Sequence, residues 1–474
     1  MMRERISMRT MMDYYLYILR LDPKEKIKAL VGCGAFGLGL FFWIFELCEV
    51  WNMKAAWGLF KWVSLMVSFI SMQIEIIKIA EGYKKRKYLG AAAMKDAGET
   101  IEEKFAGVSV CDGFTIEKCV IGKSQFLYMY AEAVDAYLMA EPVIRIEKNL
   151  RYIKRIRRFI LEDKKQLLAM LFYQYKNSDH GWRKIFVNEK KFCLSSDFAL
   201  EIIENRSELN NGKPIEVSAY RAGYYDYLLS NGFLGKKLEA NDEKDKCLIQ
   251  IKPAYPICKK NGAWQMLPIG SGRCVQMVGV STLAMTKDGF IVLLTQSEKA
   301  MGSPGRIAPS GSGSADWKDY TLSENKDLLS VVKVAMQREL YEELRIKEAG
   351  YREISGIANT RVLGYFRWIA KCGSPEFYGI TSLDLDFADL DFERKEINKI
   401  EGTYAARIYD LIQAAEKWMQ SEKLSVPLYV ILSAIRKQVY TICRGCLFYD
   451  HQKDSVGFQC ETVCPMLTKN NIFP

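Results

Sequence analysis

The chain has 474 residues, 49% apolar, 26% charged and 12% aromatic, a length of about three ordinary domains and a composition that excludes disordered, collagen-like and low-complexity classes. Only two histidines are present, His180 and His451. They leave little room for a Ser-His-Asp triad, a Cys-His dyad or a multi-histidine metal site, so any enzymology falls to carboxylates. Thirteen cysteines, with no cleavable signal peptide ahead of them, read as a reducing, cytosol-facing protein, and the net charge of +10 points to acidic partners.

In chain order, the first predicted elements are two apolar segments. Ala29 to Phe45 is free of formal charge; as a helix it would rise about 25 Å, close to a bilayer core of about 30 Å. Ala55 to Ile74 carries Lys61 alone. Basic residues precede the first segment and follow the second (Lys84, Lys85, Arg86, Lys87), so a transmembrane hairpin over 1–90 is predicted. It would belong to a multi-pass protein of the cell membrane with both termini cytoplasmic. Gly32, Gly34 and Gly37 have dinucleotide-fingerprint spacing, but no strand precedes them, and a small-residue packing seam fits better. On the second segment Lys61, Ser64, Ser68, Ser71 and Glu75 form one polar stripe. It would line a pore in a homo-oligomer, or Lys61 snorkels while the serines bond to their own helix.

Residues 91–270 form a middle region. Arg145 to Lys165 carries nine Lys/Arg against three Asp/Glu and reads as a basic amphipathic helix, suited to anionic headgroups, to phosphates, or to being a solvated face on a packed helix. Tyr220, Arg221 and Tyr225 lie in an aromatic cluster able to stack a base and hold a phosphate, a composition equally compatible with half-buried tyrosines. Gly235 to Lys246 reads as a solvated linker.

The chemistry lies in 271–440. Val275 to Thr286, a Lys287-Asp288-Gly289 turn and Phe290 to Gln296 read as a hairpin. A Gly/Ser/Pro-rich loop containing Gly311 and Gly313 follows, then a helix from Leu328 to Ile346. Glu339, Glu342 and Glu343 fall at i, i+3 and i+4, three carboxylates on one helical surface. Hard oxygen ligands of this kind suit Mg²⁺ or Mn²⁺ bridging phosphates. Asp384, Asp386, Asp389, Asp391 and Glu393 offer a further acidic run. In the tail, 441–474, Cys443, Cys446, Cys460 and Cys464 have zinc-site spacing, or are unligated thiols.

Arg338, Glu339, Leu340, Tyr341, Glu342, Glu343, Leu344 and Ile346 resemble the second half of the Nudix box. The resemblance implies a mixed-sheet α/β/α fold, glutamates that hold or assist a divalent metal, and Arg338 orienting them. Departures are Glu324 for the first glycine of the box, Ser330 for its first glutamate and Arg345 for its later glycine. They leave open both hydrolysis of a nucleoside diphosphate derivative and bare nucleotide binding, with Glu324 or Asp327 able to supply the missing acid only if the loop is longer. Taken together, a hairpin, a basic connector and a degenerate Nudix unit resemble the 2TM–Nudix effectors of bacterial cyclic-oligonucleotide anti-phage (CBASS) systems. That likeness implies an α+β membrane protein that senses a cyclic nucleotide and disrupts the membrane, without direct nucleic-acid contact.

Overall fold

The computed structural model describes residues 92–444 apart from 178–187, 206–213, 241–246, 298–303, 346–357, 393–396 and 406–407. The chain divides into two compact units. The smaller combines parts of Met1–Ala97, Arg157–Asn188 and Gly235–Lys252. Its sheet has three antiparallel strands in the order Ala92–Asp96, Lys236–Ala240, Cys247–Gln250. The presumed linker at 235–246 thus contains a strand, and cross-strand charge explains why so polar a run pairs: Lys236 meets Asp96 at 2.5 Å and Lys95 meets Glu239 at 2.7 Å.

The larger unit is built on one mixed sheet. Strand order is Ile307–Ala308, Phe290–Gln296, Gly279–Met285, Ser374–Leu383, Ala358–Trp368, Ser124–Tyr130, Phe114–Ile121, Val110–Cys111. Gly279–Met285 runs parallel to Ser374–Leu383, and the other neighbours in this order whose pairing register is described are antiparallel. Two further strands, Gly311–Ser314 and Ile397–Tyr404, pair with Gly279–Met285 and Phe290–Gln296. The predicted hairpin is present, closed at Gly289, whose φ of 83° suits glycine.

Side chains alternate across this sheet. Val280, Ala284, Val292 and Leu294 face the helix Leu328–Leu344, whereas Leu283, Ile291 and Leu293 face the helix Val426–Arg444 through Leu428, Ile431, Leu432 and Ile435. Strands with both faces covered read as nearly continuous apolar runs, as these do. A smaller sheet, Ile144–Lys148, Ile215–Gly223, Lys190–Leu194, belongs to the same unit. The start of the predicted basic helix is therefore a strand: Ile146 fits the helical pattern with Leu150 and Ile153, but it also alternates with Ile144 across Ile144–Lys148. The helices Tyr152–Glu162 and Lys164–Asn177 follow, the first begun by the Asn149 side chain, which accepts the Tyr152 N–H at 3.2 Å.

The expectation of an α+β membrane protein with a transmembrane hairpin, and of a multi-pass place in the cell membrane, is corrected. Among the described residues no helix is long and apolar enough to cross a membrane, and the fold is mixed α/β with several sheets. The two longest described helices bury one face and solvate the other: Lys333 and Glu342 on one, Arg436 and Lys437 on the other, face outward. The predicted hairpin itself, with Lys61, Ser64, Ser68, Ser71 and Glu75, lies outside the described residues.

Candidate functional site

Leu328, Val331, Val332, Ala335, Met336, Leu340 and Leu344 are buried and recur at helical spacing, which docks the helix Leu328–Leu344 on the sheet. Asp327 caps it, accepting the Ser330 N–H at 3.1 Å and the Ser330 hydroxyl. It ends at Arg345, held left-handed with φ 41° and ψ 49°, where the Nudix box has glycine.

The opposite side of this helix carries the charges. Arg338 is 4% exposed. Its Nε and Nη2 donate to Asp319 Oδ1 and Oδ2 at 2.9 and 3.1 Å, Nη2 also to the Ser314 carbonyl at 2.9 Å. Nη1 lies 3.0 Å from Glu339 Oε1 and 3.2 Å from Glu342 Oε2. Burial opposes the charge of Arg338, but Glu339 and Asp319 outweigh it and raise its pKa. The Glu339 side chain, 14% exposed, accepts the Ser314 N–H at 3.2 Å. Desolvation pushes its pKa up to about 6; Arg338 and Lys191 oppose the rise, while Glu342 and Asp316 add to it. Glu342 is half-exposed, with Lys318 Nζ 3.9 Å from Oε1, and Glu343 is buried.

The strand Gly311–Ser314 runs against this helix, and its glycines permit the approach. A Cβ on Gly311 would lie 2.6 Å from the Leu340 backbone nitrogen, and one on Gly313 would lie 2.3–2.4 Å from the Glu339 carboxylate. Asp319 sits on the short helix Trp317–Leu322, which begins where the Gly/Ser/Pro-rich stretch ends, and accepts the Asp316 N–H at 2.7 Å. Tyr320 of that helix stacks on Phe192 at 6.1 Å. Phe192 belongs to Lys190–Leu194, which also brings in Lys191: its Nζ donates to Asp316 Oδ1 at 2.8 Å and Glu189 Oε2 at 2.6 Å. Burial works against the Lys191 charge, and Asp316 and Glu189 overcome it, so its pKa is raised. Sequence reading missed Asp316, Asp319 and Lys191. An Asp-x-x-Asp capping pattern signals the first two; Lys191 has no local signal.

Other candidates are dispersed. Tyr220 and Tyr225 have no exposed surface; the Tyr220 ring packs 4.7 Å from Tyr152 and its hydroxyl accepts the Gln276 N–H at 3.2 Å. Arg221, one residue along the strand, is exposed on the other face. Asp384 pairs with Lys287 at 3.1 Å, Asp386 and Asp389 border a short 3₁₀ turn, and Glu393 lies outside the described residues. Cys443 falls near the end of the helix Val426–Arg444, while Cys446, Cys460 and Cys464 lie outside the described residues.

No family model matches the chain, and no curated protein matches it. Among solved structures, the likenesses include DR0079 of Deinococcus radiodurans, at 15% identity over 33% of this chain and 81% of that one, with a TM-score of 0.23. The MutT protein of Methanosarcina mazei shares 15% identity over 34% of this chain and 94% of its own, TM-score 0.23. A bifunctional NMN adenylyltransferase/ADP ribose pyrophosphatase of Francisella tularensis, complexed with AMP and a manganese ion, shares 14% over 34% of this chain and 42% of its own, TM-score 0.24. The box residues and the order of hairpin, glycine-rich strand and helix are Nudix-like.

A divalent metal does not fit the carboxylates as they stand. Among the described residues no group of three or more His, Cys, Asp or Glu is placed to hold one. Glu339 is bound by Ser314 and Arg338, Glu342 faces Arg338, and Asp327, the acid available for the first half of the box, is spent on the helix cap. Zinc finds no such group among the described residues either.

Proposed function

We propose that the Nudix-like unit binds a nucleotide derivative, either a cyclic nucleotide or a nucleoside diphosphate, without cleaving it, and serves as the sensing part of a nucleotide-responsive protein. The observation that carries this reading is that the nearby acids are already engaged: Arg338 contacts Glu339 and Glu342 together, and Asp327 caps the helix through Ser330. Hydrolysis needs a carboxylate within reach of a water and ready to take its proton, whereas binding needs only a shaped polar surface. The exposed backbone at Gly313 and the half-exposed Glu342 supply polar groups for such a surface.

A second reading, Nudix-type hydrolysis, is favoured by one fact: a pKa of about 6 suits Glu339 to general-base work near neutrality. Incubation with ADP-ribose, a nucleoside diphosphate and cyclic dinucleotides, with and without Mg²⁺, followed by phosphorus NMR and calorimetry, separates the two. The binding reading expects heat of binding and intact ligand. Turnover that disappears in Glu342→Gln would establish the hydrolase instead.

A further inference from the structure

Arg338 neutralises Glu339 and Glu342 on the box helix, and a second buried cation, Lys191, comes from far away in sequence to pair with Asp316, which begins the short helix ahead of it. Lys191 enters on the strand Lys190–Leu194, which pairs with Ile215–Gly223 on one side and is tied to the segment before the box helix on the other. Phe192 donates its N–H to the Ala315 carbonyl at 2.8 Å, and Lys191 bridges to Asp316 through the backbone as well. The Lys191 side chain is only 8% exposed, and its ammonium is shared between Asp316 and Glu189. Arg338, 5% exposed in its side chain, contacts Glu339 and Glu342. Two fixed, largely desolvated positive charges thus lie where the carboxylates would otherwise demand a mobile one.

We infer that Lys191 and Arg338 are resident cations that stand in for a divalent ion, and that Lys191 is the one whose presence keeps the acidic face from taking a metal. Three or four carboxylates on neighbouring positions repel one another unless neutralised. A lysine does this permanently and without a coordination sphere, because an ammonium is a point charge with three donors and imposes no octahedral geometry. Electrostatics then works against a second cation: an Mg²⁺ or Mn²⁺ approaching Asp316 or Glu339 meets a fixed like charge a few ångströms off, in a partly desolvated setting where such repulsion is strong. Lys191 is thus a positioning residue. It orders Asp316, which begins the helix that supplies Asp319 to Arg338, and it excludes the metal. The inference does not depend on which nucleotide binds, or on whether one does.

Manganese alone is the probe. The paramagnetic resonance of free Mn²⁺ is recorded while folded full-length protein is added. Wild type is expected to leave the signal unchanged, Lys191→Arg to behave like wild type, and Lys191→Gln to take up Mn²⁺ at least about tenfold more tightly, with that uptake lost again in Lys191→Gln/Asp316→Asn. If Lys191→Gln does not fold, wild type still decides, with Mn²⁺ uptake read directly and again as a shift in Tm on adding MgCl₂. Uptake of Mn²⁺ by wild type that is abolished by Glu339→Gln would overturn the inference, as would a folded Lys191→Gln that leaves the signal unchanged. Absence of nucleotide binding would count against the proposed function and leave the Mn²⁺ result standing.

Discussion

Arg338 and Asp319 form a two-pronged ion pair, Nε to Oδ1 at 2.9 Å and Nη2 to Oδ2 at 3.1 Å, with 5% and 0% of their side chains exposed. Parallel donation of this kind fixes geometry as well as charge. Removing one partner leaves a buried charge uncompensated, so Asp319→Asn and Arg338→Met should each cost about 3–5 kcal/mol. The double variant Arg338→Met/Asp319→Asn should recover part of that. Urea unfolding of the four proteins measures it, and simple addition of the two single losses would show that the pair is not a coupled unit.

The two glycines beside the box helix should respond differently to alanine. At Gly311 the new methyl meets backbone of Leu340, which cannot give way, and overpacking of this kind costs about 1–3 kcal/mol. At Gly313 the methyl meets the end of the Glu339 side chain, which can swing aside, so stability falls by less while the bond to the Ser314 N–H is lost. Chemical denaturation should rank Gly311→Ala as the more damaging; the opposite order would place the tight contact elsewhere.

Arg345 closes the box helix at positive φ, a conformation that strains any residue with a Cβ by about 1–2 kcal/mol. Comparing Arg345→Gly with Arg345→Ala removes the side chain in both and isolates the strain. The glycine variant should be the more stable by about 1 kcal/mol, net of its extra freedom when unfolded, visible as a higher Tm. Equal melting of the two would remove the strain argument.

Glu339 gives the fold a pH signature. Its pKa rises from 4.5 to about 6 on folding, so between those values the folded chain holds a proton that the unfolded chain has released. Stability therefore falls as pH rises through that window, by about 2 kcal/mol in all. Glu342 and Asp316 face the group and strengthen the effect, while Arg338 and Lys191 weaken it. Glu339→Gln should flatten the slope between pH 4.5 and about 6 relative to wild type in matched unfolding curves. An unchanged slope would assign the titration to another group.

What the sequence shows of this site is its local half. The hairpin and the helix from Leu328 follow from patterns within about twenty residues, the pairing of Arg338 with the glutamates follows from the resemblance to the box, and those contacts exist. Lys191 and Asp316 stand 125 residues apart, and no periodicity encodes that meeting; it follows from a strand finding an edge. Gly311–Ser314 reads as loop because four small residues have no strand propensity of their own, yet it pairs with Gly279–Met285 because only small residues fit beside the helix. Tyr220 illustrates the converse: an aromatic cluster that looks like a binding surface is absorbed by the core, since alternate residues of one strand must face it.

Asp135 accepts the Tyr365 N–H at 2.9 Å across 230 residues of chain, next to the place where Ser124–Tyr130 joins Ala358–Trp368. During synthesis at roughly 5–20 residues per second, the early strands must therefore wait on the order of tens of seconds for the strand that covers their open edge. Their exposed backbone is a ready template for the wrong neighbour throughout that interval. The protein should accordingly be slow to mature, and its yield should depend on the rate of translation and on holding factors at the ribosome more than on the stability of the finished fold.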